Sequence, residues 1–133
     1  MKNEIVNQMY NNDSFSKWLG IEVLEAMPGE CKLQMIIREE MCNGFGVAHG
    51  GITYSLADSA LAFASNAHGR ISMSIETSVS HLSKVALGDK LTAMTKEIHL
   101  NHKVGVYGIK VVNQDGVKVA DFKGTVYRSS KEW

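Results

Sequence analysis

The chain has 133 residues and a mass of 14.6 kDa, enough for one domain with a real core. Hydrophobic residues make up 44% and charged residues 21%, which argues against disorder. Fourteen basic side chains balance fourteen acidic ones, so the totals give no electrostatic case for nucleic acid or an anionic membrane. The first residues, MKNEIVNQMYNN, lack the apolar run of a secretory leader, and no stretch approaches the length of a membrane span. Cys31 and Cys42 show no metal-ligand spacing and imply no disulfide framework. The expectation is a soluble, cytoplasmic single domain over 1–133.

Residues 1–19 are read as its N-terminal helical segment. One or two short helices are predicted over 3–18, with Ile5, Val6, Met9, Phe15, Trp18 and Leu19 as the apolar face and Gly20 as the stop. Residues 21–27 and 31–38 flank a Pro28-Gly29 turn and read as a hairpin. Residues 39–48 are glycine-bearing and read as an irregular loop. A helix follows over 50–67, ended by Gly69. Its apolar stripes, Ile52, Leu56, Ala60, Phe63, Ala67 and Ala57, Leu61, Ala64, cover most of its circumference, so it is a buried helix. Strands are then predicted over 71–82, 91–100, 104–112 and 117–128, with Asn113-Gln114-Asp115-Gly116 as a hairpin turn. The sum is α+β, one long central helix wrapped by a five- or six-stranded antiparallel sheet. The sheet's other face, rich in Val, Ile and Met, calls for a partner.

Asp58 is the anomaly in this pattern. It sits mid-helix among Tyr54, Ser55, Leu61 and Ala62, none of them a cation. A carboxylate taken out of water without a partner is expensive, so such a residue usually has a task. Upstream lies Asn43-Gly44-Phe45-Gly46-Val47-Ala48-His49-Gly50-Gly51, and downstream Asn66-Ala67-His68-Gly69.

With Ser74-Ile75-Glu76, Leu87-Gly88-Asp89 and Val111-Val112-Asn113-Gln114, these segments resemble the hotdog-fold acyl-CoA thioesterases, most of all the PaaI-like (phenylacetic acid degradation type) branch. The resemblance covers about residues 14–128. It implies a hotdog fold, hydrolysis of an acyl- or aryl-acetyl-CoA thioester without a cofactor, and a site at Asn43, Gly50, Asp58 and Ser74. It also implies homodimers whose sheets join edge to edge and pair again into homotetramers. Where relatives often carry a proline, Ser83-Lys84-Val85 has none.

The chemistry is sensible on its own terms. N–H groups at a helix start are unpaired and favour negative charge, and Gly50 and Gly51 carry no side chain to block a carbonyl oxygen. Asp58 would act as general base or nucleophile. Asn43 could orient water or hold the loop, Ser74 could position water or Asp58, and His49 has a capping or loop-fixing role. Gly51, Tyr54, Lys84 and Lys103 are candidate substrate contacts, with Arg128 a further cation for the CoA phosphates. The two rival functions are a hotdog hydratase or dehydratase using His49 with Asp58, and a non-catalytic acyl-CoA-binding module.

His99 and His102 are read as surface or loop residues, since a spacing of three on a strand alternates faces. Met35, Met41, Met73 and Met94 are read as core or pocket filler. Gly50 and Asp58 are eight positions apart, about 12 Å along a helix at roughly 1.5 Å per residue. One thioester cannot touch both on one chain. The site is therefore expected to be shared between two chains.

Overall fold

The computed structural model describes residues 3–133. The elements run α1 (Glu4–Asn11), α2 (Ser14–Leu19), β1 (Glu22–Met27), β2 (Glu30–Ile36), a short 3-10 turn (Glu39–Met41), α3 (Gly50–Asn66), β3 (Arg70–His81), β4 (Lys90–Leu100), β5 (Val104–Val112) and β6 (Lys118–Glu132). All six strands pair antiparallel in one sheet, in the order β1-β2-β4-β5-β6-β3. The predicted α+β arrangement of one long helix and a six-stranded sheet is what the chain adopts.

The core lies between α3 and the concave face of the sheet. Leu56, Ala57, Ala60, Leu61, Phe63 and Ala64 are all at most 1% exposed, which matches the two predicted stripes. The helix lies unusually close to β6: a Cβ at Gly124 would sit 2.5 Å from a Leu61 methyl. Only glycine leaves room for Leu61 there.

Several expectations need correction. The loop over 39–48 is not wholly irregular, because Cys42 bridges Ala48 and Val47 bridges Ala86. The second strand ends at Ile36, since Ile37 bonds outside the ladder, its N–H to Asp89 O and its carbonyl to Gly88 N–H. The last strand runs past 128 to Glu132, where it meets Arg70. The helix ends one residue early, at Asn66, with Ala67 as its cap. Phe15 and Trp18 do not join the core. They are about half exposed, stack on each other at 6.2 Å, and carry the Arg38 guanidinium 5.0 Å over the Trp18 ring. Arg38 also donates to the Trp18 and Leu19 carbonyls, so this outer cluster clamps the end of α2 to the chain leaving β2.

The two edges of the sheet are β1 and β3. β3 is twelve residues long, with Met73 and Ile75 57% and 62% exposed. Its free edge is a row of unpaired backbone groups, a template for another strand.

Candidate active site

Asp58 is half-buried on α3, and its side chain meets no hydrogen-bond donor among the described residues. Burial away from water raises its pKa above the ordinary carboxylate range. It opens into a narrow cleft of about 80 Å³ with Leu61, Ala62, Ser65, Ser72, Met73, Ser74 and Val126. Ser74 is thus beside Asp58, as expected. Its place is set by β3 pairing, Ser74 opposite Val126, followed by a register shift before Glu76.

Gly50 and Gly51 begin α3. Among the described residues neither N–H meets an acceptor, while the Ile52 N–H turns back to the His49 carbonyl at 2.9 Å. A capping side chain for His49 is absent: its side chain makes no cap hydrogen bond, and only its backbone is fixed, by donation to the Met41 carbonyl at 3.0 Å. The helix start is left open for an outside acceptor. Gly50 lines a hollow of about 460 Å³ with Val47, Ala48, Thr53 and residues 81–85. No residue is common to this hollow and the Asp58 cleft.

Asn43 holds the loop. Its Oδ1 accepts from the N–H groups of Phe45 at 2.9 Å and Val47 at 3.3 Å. Tyr54 is drawn into the fold, its hydroxyl 2.6 Å from that of Thr77 and its ring edge-on to Phe122 at 5.3 Å. Lys84 lines the Gly50 hollow. Lys103 is elsewhere, in the bend before β5, its carbonyl accepting from the Arg128 N–H. Arg128 spends a guanidinium N–H on the Asn101 carbonyl at 2.6 Å. One chain therefore does not gather these three cations around a single phosphate.

His99 and His102 are both exposed, and no group of three His, Cys, Asp or Glu side chains among the described residues could hold a metal. No helix among them is long and apolar enough to cross a membrane. Both cysteines are free.

His81 is a residue whose place the amino-acid pattern alone does not reveal, at the end of β3 on the same face as Thr77 and Val79. Its imidazole lies against Gly50: a Cβ there would fall 2.9 Å from His81 Nε2 and 3.2 Å from Cε1.

A long buried helix enclosed by a six-stranded antiparallel sheet is the hotdog architecture. Residues 45–120 match the family model described as the thioesterase superfamily, and the chain belongs to that family of thioester hydrolases. It is 37% identical over 120 residues to the acyl-coenzyme A thioesterase PaaI of Escherichia coli, spanning 90% of this chain and 86% of that one. It is 38% identical to a putative esterase of Archaeoglobus fulgidus, over 100% of this chain and 86% of that one. The structure of the E. coli PaaI protein superposes with a TM-score of 0.94, covering 97% of this chain and 94% of that one at 34% identity. A Streptococcus mutans protein solved with acetyl-CoA shares the fold, with a TM-score of 0.81 at 23% identity over 85% of this chain and 91% of that one.

Proposed function

We propose that this protein hydrolyses acyl-CoA thioesters, aryl-acetyl-CoA among them, at a site assembled from two copies of the chain. The observation that carries this reading is the separation of Gly50 and Asp58 into different hollows of one protomer. The Gly50 hollow lies at the His81 end of β3, and the Asp58 cleft at the Ser72–Ser74 end. If two β3 strands pair antiparallel along their free edges, the start of each runs beside the end of the other. Each Gly50 hollow then abuts the partner's Asp58 cleft. Similarity to the PaaI thioesterase supports the acyl-CoA substrate.

In this site the thioester carbonyl oxygen accepts from the N–H of Gly50, with the helix dipole favouring the negative charge that develops. Asp58 of the other chain takes a proton from a water lodged against Ser74 as that water attacks the carbonyl carbon. The new C–O bond forms, the C–S bond breaks, and the electron pair leaves on the CoA sulfur. A thiolate is a good leaving group, with a pKa of about 8.5, so no strong acid is needed opposite it. Asn43 keeps the loop before Gly50 in shape, and Lys84 stands at the mouth for a CoA phosphate. The chain works in the cytoplasm as one domain, and its outer sheet face is where dimers pair into tetramers.

The test is complementation. Asp58→Ala and Gly50→Pro chains are each expected to be inactive, but a heterodimer retains one site with an intact Gly50 and an intact Asp58. Purified heterodimers are expected to regain phenylacetyl-CoA or hexanoyl-CoA hydrolysis near one working site per dimer. Verified heterodimers that stay inactive while each variant is folded would refute the shared site.

A further inference from the structure

We propose that His81 is a catalytic residue, a side-chain donor that completes the oxyanion hole begun by the Gly50 N–H. The inference rests on the thioesterase reading above and adds a group to its site. Gly50 lies in the first turn of a helix, where any residue fits the backbone, so conformation alone does not call for glycine there. What fills the place of its side chain is the His81 imidazole, with Nε2 2.9 Å from the missing Cβ. The Cβ position of a residue is about 2.5 Å from its own nitrogen. His81 Nε2 therefore lies no farther than about 5.4 Å from Gly50 N. One oxygen can accept from two nitrogens about 5.0 Å apart, at about 2.9 Å from each along its two lone pairs, and the broad angular spread of carbonyl acceptance extends this to about 5.4 Å. A thioester oxygen held by the Gly50 N–H is thus within reach of a second donor.

The imidazole is free to serve. His81 is exposed and makes no hydrogen bond to another described residue, so Nε2 can carry its proton as the neutral tautomer or as the imidazolium. Its position is nevertheless fixed from behind. His81 pairs with Ala120 at the end of β3, and the next two N–H groups, of Leu82 and Ser83, both donate to the Val119 carbonyl at 2.8 and 3.3 Å. The charged group in the same hollow is Lys84, an ammonium that cannot accept from a protonated Nε2, and no hydrogen bond joins His81 to His49 before the helix. A donor here gains its strength where charge develops on the oxygen, so its loss falls on kcat more than on KM.

The experiment compares wild type, His81→Phe and His81→Gln on phenylacetyl-CoA and hexanoyl-CoA, with thermal unfolding as a check. Phenylalanine keeps a ring against Gly50 but donates nothing. It is expected to lower kcat on the order of 10²-fold, with KM within about twofold and an unchanged unfolding temperature. Glutamine, whose amide can donate, should recover at least about tenfold over phenylalanine. A His81→Phe enzyme with wild-type kcat, a loss confined to KM, or a glutamine variant no faster than phenylalanine would each overturn the assignment. A wild-type protein that releases no thiol from either substrate would instead sink the thioesterase reading itself.

Discussion

The two ends of α3 make opposite use of the same kind of group. At its C-terminal end the side chains are tied by hydrogen bonds. Asn66 donates to the carbonyls of Ala62 and Ser72, and its Oδ1 accepts from the Ser72 N–H and the Trp133 indole, both at 2.9 Å. His68 meets Glu97 at 2.7 Å nearby. At the N-terminal end the Gly50 and Gly51 N–H groups and the His81 imidazole have no partner among the described residues. Saturated hydrogen bonding holds a helix in place, and unsaturated hydrogen bonding is what a substrate can use. The fold is tied at one end so that the other can stay open.

The sharpest way to break this contrast is to remove the charge that lies between the two ends. Asp58→Asn is expected to abolish turnover, by about 10³-fold or more, while unfolding temperature holds or rises, because a half-buried charge is gone without a change of shape. Steady-state kinetics beside a melting curve checks both halves. Wild-type kcat in that variant would remove Asp58 from the chemistry.

At the tied end the expected loss is in stability. Asn66→Ala leaves the Ser72 N–H and carbonyl and the Trp133 N–H without partners, and should cost about 2–3 kcal/mol by denaturant titration. Activity per folded molecule should fall far less than in Asp58→Asn. Ser74→Ala is milder than either, a partial loss of kcat/KM with no change in stability.

The smallest effect is a pH dependence. Since burial raises the Asp58 pKa in the folded state, the native protein holds that proton to higher pH than the unfolded chain does. Between the ordinary aspartate pKa and the raised one, the Asp58 contribution to stability therefore declines as pH rises. Asp58→Asn should flatten the stability profile in that window. The acidic limb of kcat should lie above the ordinary carboxylate range, as the base works only when ionised.

Much of this was readable from residues alone. The two apolar stripes over Ile52–Ala67 located the buried helix, and the lone carboxylate within it pointed to the candidate site. The eight-residue spacing to Gly50 already set the two residues too far apart to share one hollow of a single chain. Contacts between residues distant in sequence were not readable. Phe15 and Trp18 fit an apolar stripe at helical spacing, yet Arg38, twenty residues on, holds Trp18 at the surface. His81 looked like one more inward-facing strand residue, because nothing local says which backbone its ring will cover. Tyr54 reads as a pocket residue until Thr77, on another element, takes its hydroxyl.

The bare backbone at Gly124 has a consequence for the space beside Asp58. Leu61 stands on it and also forms part of the wall beside Asp58. The room beside Asp58 is therefore gauged by one side chain resting on a stop that cannot be lowered. A shorter residue at 61 would deepen the recess as far as the sheet, and a longer one would have nowhere to go. The size of that recess is adjustable in one direction only, and from the inside of the molecule.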